Sequence, residues 1–347
     1  MPDNRRSPLA QIIISRILQA IPLLFLLSVA SFALIRMLPG DPVEAMLGES
    51  PRNIDPQQLA FLRHEMGLDE PIPVQYGHWL GGWIGKGELG RSYQDGRPVL
   101  TVIAERMPAT LLLVFISMTL SFSLGTAWGL MLAWLRLTDR LRWLEESLVA
   151  GSLALYSIPA FLVGIVTISV LTGVCALHSI PVFCALNLDG QSALQALIPL
   201  ALIPALALGL PRAAKVALFI RTLALDEISR NYVTMALAKG SSYSRVMTVH
   251  VLRNCLLPVV NLLALSLPAL IGGSVLIETI FGWPGMGRLA VEATFGRNYP
   301  VSTCLVLIYG TMVVLSNLLA DVLSVFIDPR LKDGLSGPGI ALKQGQM

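Results

Sequence analysis

IIISRILQAIPLLFLLSVASFALIRML, residues 12–38, decides the fold. Charge enters this run only at Arg16 and Arg36, near its two ends, where a long side chain can snorkel to an interface. A bilayer core needs about 20 apolar residues in a helix. The run is too long for the apolar part of a secretory leader, and no small-x-small cleavage site follows it. It is therefore expected to stay on the chain as a first membrane span. Working outward, five more runs have the same character: Ala109–Leu135, Leu148–Val174, Ala193–Leu210, Leu256–Phe281 and Val301–Ile327. All are too long and too continuous for barrel strands, and only helices or closed barrels satisfy their backbone in lipid. The expected fold is all-α, a polytopic membrane protein with six transmembrane helices.

Composition agrees. The chain has 347 residues, 54% hydrophobic and only 14% charged, with a mean hydropathy of +0.68. A soluble protein carries about 25% charged residues. A net charge of +3 without a long basic run argues against a nucleic-acid partner. Six spans put both termini on one side, and Lys/Arg bias chooses which. That side holds 16 of the 25 basic residues, seven of them between Pro211 and Arg253: Arg212, Lys215, Arg221, Arg230, Lys239, Arg245 and Arg253. Both termini are expected in the cytoplasm. The resulting division is an N-terminus with the first span (1–38), a large external loop (39–107), a five-helix core (108–327) and a cytoplasmic tail (328–347). The core contains a long cytoplasmic loop at 211–257. In the external loop, Trp79 and Trp83 lie four apart, on one helical face suited to the membrane surface.

Motifs exclude several chemistries. The chain has no Gly-x-x-x-x-Gly-Lys-Ser/Thr loop, so it is not expected to hydrolyse ATP itself. His64-Glu65 opens a zincin-like pattern, but Leu68 stands where the second histidine belongs. No Gly-x-Ser-x-Gly elbow occurs, and no catalytic residue or metal site is assigned. Cys175 and Cys184 flank an external loop with His178 between them. A disulfide or soft-metal site competes there with the commoner reading of buried or interfacial thiols. Asp321 is the deepest acid, with Asn317 one turn earlier on the same face. Without a basic or histidine partner inside the spans, it reads as a helix–helix hydrogen bond rather than a proton relay. Glu278, near the external end of the fifth span, reads as interfacial or gate-lining. Pro159, Pro199, Pro204, Pro258 and Pro268 interrupt spans three to five and are expected to kink them.

The long cytoplasmic loop carries the function. NYVTMALAKGSSYSRVMTVHVLRNCLLPVV occupies residues 231–260. Tyr232–Lys239 fits a short helix, with Gly240 as a left-handed stop. Ala236, Ala238 and Gly240 are expected to keep one surface low. Ser242 can cap a second helix from Tyr243 to about Leu256, with Arg253 complementing its end. A small-residue helix–Gly–helix hairpin of this kind reads as a docking knob.

Here the chain resembles the membrane permeases of ABC importers, in the dipeptide/oligopeptide/nickel branch. The likeness runs through Leu38-Pro39-Gly40-Asp41-Pro42, Met66-Gly67-Leu68-Asp69 and Gly87-Glu88-Leu89-Gly90-Arg91-Ser92. It continues in Glu278-Thr279-Ile280-Phe281-Gly282-Trp283-Pro284-Gly285-Met286-Gly287 and Asp328-Pro329-Arg330. The resemblance implies a type I ABC importer permease fold in the bacterial inner membrane. It implies that Tyr232, Thr234, Met235, Ala236, Leu237, Ala238, Lys239, Gly240 and Ser241 form the EAA-type helix that couples to an ATPase. The pattern usually reads Tyr-Val-Arg-Thr-Ala-Arg-Ala-Lys-Gly, from which Thr234, Met235 and Leu237 depart. Glu278, Trp283, Pro284, Gly285 and Gly287 become an external gate or structural motif. Implied partners are a second homologous permease, two ATPases carrying Mg-ATP, and a periplasmic or lipoprotein binding protein. No cofactor is expected on this chain. The short loop Cys175–Ser192 is more similar to nickel-type members, although its Cys and His residues are not counted as nickel ligands. An ion-gradient-coupled transporter is the competing class.

Overall fold

The computed structural model describes residues 8–37, 43, 56–65, 67–87, 89–137, 141–178 and 200–327. Most of these residues are helical, with a single antiparallel bridge among them between Arg91 and Pro98. The first span is α1, Pro8–Arg36. The external loop contributes two helices, α2 (Pro56–Glu65) and α3 (Ile72–Lys86). α3 packs on α1 rather than lying free. Ser28 and Tyr76 share a hydrogen bond of 2.8 Å, and Phe32, Tyr76 and Trp79 meet edge-on or tilted, with ring centroids 5.2–5.9 Å apart. Trp79 and Trp83 lie on one face, their tilted rings 5.8 Å apart. Arg36 does not simply snorkel. Its guanidinium sits 3.4 Å above the Phe32 ring and donates to Gln75 at 2.7 Å.

α4, Val99–Leu137, starts ten residues before the expected apolar run and passes unbroken through Pro108. Its 39 residues make a rod of about 58 Å, so it must project beyond a bilayer core of about 30 Å. The 107/108 boundary therefore falls inside a helix. The third span is broken: α5 (Arg142–Ser157) and α6 (Ala160–His178) meet at 100°, with Pro159 at the break. Among the described residues five helices are long and apolar enough to cross a membrane, or six when this bent pair counts as one.

The fourth span departs most from expectation. α7 runs Leu202–Ile228, so residues 211–228, read above as cytoplasmic loop, continue as membrane-type helix. The three cations Arg212, Lys215 and Arg221 broke the hydropathy signal and made half a helix read as a loop. α7 is also the most buried of the spans. It packs parallel to α4 on a ladder of small residues. Ser117, Ser121, Gly125 and Gly129 on α4 meet Gly209, Ala213 and Ala217 on α7 at four-residue intervals. A Cβ on Gly125 would stand 2.7 Å from the Ala213 carbonyl oxygen, and one on Gly129 2.5 Å from that of Ala217. Small residues let two backbones approach this closely where lipid supplies no hydrophobic drive.

A helix of eight residues follows, α8 (Asn231–Ala238). A turn at Tyr243–Arg245 and a π-helical turn at Val246–Val251 then run directly into α9, Leu252–Ile280. No helix ends near Leu256, so Arg253 lies in a first turn rather than at a C-terminus. α9 passes through both Pro258 and Pro268. The last elements are α10 (Met286–Phe295) and α11 (Tyr299–Ile327).

Candidate functional site: a cytoplasmic knob and an external clamp

The knob is built as its sequence requires. Gly240 takes φ +86°, its N–H bonds Leu237 O at 2.9 Å, and the Ser241 N–H bonds Ala236 O at 3.1 Å. These two bonds form a Schellman stop, which satisfies carbonyls that would otherwise be orphaned. Ser242 accepts from the Arg245 N–H at 3.4 Å and starts the next turn. Val233 is buried against Ala133, Ala224, Val246, Met247, Val251 and Cys255. Leu237 and Ala236, both half-buried, pack on the same cluster, so Leu237 supplies apolar packing inward. Residues two apart point to different sides of a helix. Ala236, Ala238 and Gly240 accordingly do not share one low surface: Ala236 turns inward while Ala238 and Gly240 are exposed. The outward surface is Thr234, Met235, Ala238 and Lys239, continued by Tyr243.

Tyr232 holds the knob in place. Its hydroxyl donates to Glu227 Oε2 at 2.6 Å, and Asn254 Nδ2 donates to both the Glu227 carboxylate and the Tyr232 oxygen. Burial and the Glu227 carboxylate push the Tyr232 hydroxyl above its usual pKa, so it stays a donor at neutral pH. Three elements, α7, α8 and α9, are tied at one point. Replacing Tyr232 with Phe removes the hydroxyl, a loss of about 1 kcal/mol for one hydrogen bond. Amide exchange over 231–241 is expected to speed up about fivefold. Unchanged exchange would show that the bond does not hold the knob. Burial raises the neighbouring Cys255 thiol to about 11, leaving it an inert packing group.

A second brace lies beneath the knob. Glu145, in the first turn of α5, is fully buried. Arg221 on α7 reaches it at 2.5 Å and Arg136 at the end of α4 stands 3.7 Å away. Arg221, counted among the loop charges from sequence, is thus one half of a buried pair.

At the external end, Glu278 is not interfacial. It is fully buried, and its Oε2 accepts from the N–H groups of Gly287 (2.6 Å) and Arg288 (3.3 Å) at the start of α10. A carboxylate is favoured at a helix N-terminus. Trp283 is buried, and its indole N–H bonds Ala109 O at 2.9 Å; the Met286 N–H bonds Thr110 Oγ1 at 2.8 Å. Pro284 sits between them in the connection. A Cβ at Gly285 would collide with the Glu278 carboxylate, and one at Gly287 would stand 2.5 Å from Val275 Cα. Glu278, Trp283, Pro284, Gly285 and Gly287 thus form one clamp joining α9, α10 and α4. Asn298 extends it outward, bonding Ser92 Oγ (2.9 Å) and the Tyr93 N–H (3.1 Å).

The intramembrane polar pair separates. Asn317 is exposed, and Asp321 instead pairs with Arg16 of α1 at 2.7 Å. Arg16, expected to snorkel away, is the basic partner that sequence reading missed. Two further cations lie within the fourth span. Lys215 is the midpoint residue of α7, and Arg212 donates to Leu208 O (3.0 Å) and Ala269 O (2.6 Å). A charge at the bilayer centre costs about 2.5–3.5 kcal/mol on insertion scales, so cations within a span are candidate functional positions. The motif residues 38–42, Met66, Glu88, Cys184 and 328–330 lie outside the described residues. Cys175 falls in α6, but its side chain lies outside the described part.

Apolar spans, a bent pair and a braced, outward-facing knob are the features of a multi-pass membrane protein. The chain belongs to the family described as the binding-protein-dependent transport system inner membrane component, which matches residues 125–333; that family's N-terminal unit matches residues 9–114. It is 35% identical to the glutathione transport system permease protein GsiC of Escherichia coli (strain K12), over 92% of this chain and 98% of that one. It is 34% identical to the oligopeptide transport system permease protein AppB of Bacillus subtilis (strain 168), over 93% of this chain and 100% of that one.

Proposed function

We propose that the chain forms half of the translocation path of an ATP-driven importer for small peptides, taken up across the inner membrane by alternating access. A second permease completes the path, two ATPase subunits carry the Mg-ATP, and an extracytoplasmic protein delivers cargo. The chain itself binds no cofactor. The carrying observation is α8: a short helix stopped at Gly240, fastened by Tyr232, Glu227 and Asn254, with Thr234, Met235, Ala238 and Lys239 left outward. An outward patch on so well-fastened an element suits the transfer of motion from a partner. The partner supplies bias only through contacts that differ between the two states. Peptide cargo is favoured over nickel by the two relatives, which are named for glutathione and oligopeptides.

Met235→Glu tests the docking. Met235 is exposed, so its replacement should leave the fold intact while placing a charge on the contact surface. ATP-driven peptide uptake is expected to fall at least tenfold, with the chain still in the membrane. Undiminished uptake would remove α8 from the coupling role. Uptake that persists with ATP exhausted and follows an ion gradient would instead favour a secondary transporter.

A further inference from the structure

We propose that Arg212 and Lys215 form a mid-membrane site for the carboxylate of an anionic cargo. The proposal rests on the importer reading above. Depth comes first, from three helices. Lys215 is the midpoint of α7, Leu202–Ile228. Arg212 bonds the carbonyl of Ala269, itself the midpoint of the span Pro258–Ile280. Gly125, which touches Ala213 and Val216 on either side of Lys215, lies within a turn of the centre of α4's apolar run.

Accessibility comes next. Most of the apolar stretch of α7 is buried, whereas Lys215 is exposed. It lies between α5 and α9, both of which pack on α7. On one side the Lys215 ammonium stands 5.7 Å from the ring centroid of Tyr156, which is about half exposed. On the other side Leu265, Ala269, Gly272, Leu276 and Thr279 share the open face of α9. Gly272 opens onto free space, and a Cβ at Gly273 would stand 3.5 Å from Arg212 Nη2. Small residues thus keep the approach to the guanidinium clear.

Among the described residues neither Arg212 nor Lys215 forms an ion pair with a carboxylate, whereas Arg16, Arg136 and Arg221 each do. Lipid is a poor neighbour for two unneutralised cations at this depth, and ionisable groups there mark substrate pathways. A wet groove between two permeases fits them. A carboxylate passing through it would meet a guanidinium fork and an ammonium one turn apart, with charge-assisted bonds available from both.

The test uses cells making the complete transporter, with radiolabelled Ala-Glu-Ala and Ala-Lys-Ala as cargo. Each uptake rate is divided by the wild-type rate for the same peptide, so the preference of the delivering protein cancels. Lys215→Glu and Arg212→Gln are expected to lower the Ala-Glu-Ala to Ala-Lys-Ala ratio at least tenfold. Lys215→Gln should lower it at least threefold, and Lys215→Arg should preserve it. A ratio that moves in this direction cannot come from misfolding, which lowers both rates together. Ratios within twofold of unity for the first three variants would overturn the site and leave the importer reading standing. Absence of uptake of either peptide by the wild type would overturn both.

Discussion

Gly287→Val is expected to abolish uptake and to deplete the chain from the membrane. The new Cβ would stand 2.5 Å from a backbone atom, Val275 Cα, and 2.8 Å from the Glu278 carboxylate. Backbone cannot step aside as a flexible side chain can. Overpacking typically costs about 1–3 kcal/mol, and here it would also drive Glu278 from the two N–H groups it caps. A buried carboxylate left without donors adds further cost. The sum is a large share of the roughly 5–15 kcal/mol that holds a typical protein folded. Membrane abundance and thermal stability in detergent would report the loss. Wild-type values for both would mean that α10 is not clamped as described.

Glu145→Ala is the second large effect. Removing one member of a buried ion pair strands the other, at a cost of about 3–5 kcal/mol. Arg221 and Arg136 would both lose their shared partner, although Arg136 also has Glu146 at 3.5 Å. The double replacement Glu145→Leu with Arg221→Met removes both charges. It is expected to recover most of the stability, because apolar groups of similar size often replace buried pairs without loss. Thermal unfolding of the detergent-solubilised protein separates the two. Equal destabilisation by single and double variants would show that the side chains matter for shape and not for charge.

These two sites differ in how far the sequence disclosed them. The spans Ile12–Leu38, Ala109–Leu135, Leu256–Phe281 and Val301–Ile327 were legible because unbroken apolar runs have one solution in lipid. The knob was legible through Gly240, whose left-handed geometry the stop requires. Pro159 marked the bend. α7 was misplaced because hydropathy counts Arg212, Lys215 and Arg221 as solvent-seeking, while the fold gives each a carbonyl, a ring or a carboxylate. Glu145 carried no local signature, since its partners lie 9 residues before it and 76 after it. Gly287 looked like part of a motif; only the proximity of Val275 explains why no other residue fits there. The stripe Ser117, Ser121, Gly125, Gly129 could have been found by its spacing of four, a signal for close helix approach.

That stripe also bears on how the protein is made. α7 is the least apolar of the spans and holds three cations, so by itself it is a poor candidate for entering a bilayer. Part of its complement precedes it along the chain. α4 with its small-residue ladder and α5 with Glu145 are both synthesised earlier, so α7 can enter against protein rather than against lipid. A circularly permuted chain in which α7 precedes them would have to insert those charges with no partner waiting. The order of the helices along the chain is thus part of what makes the fold reachable.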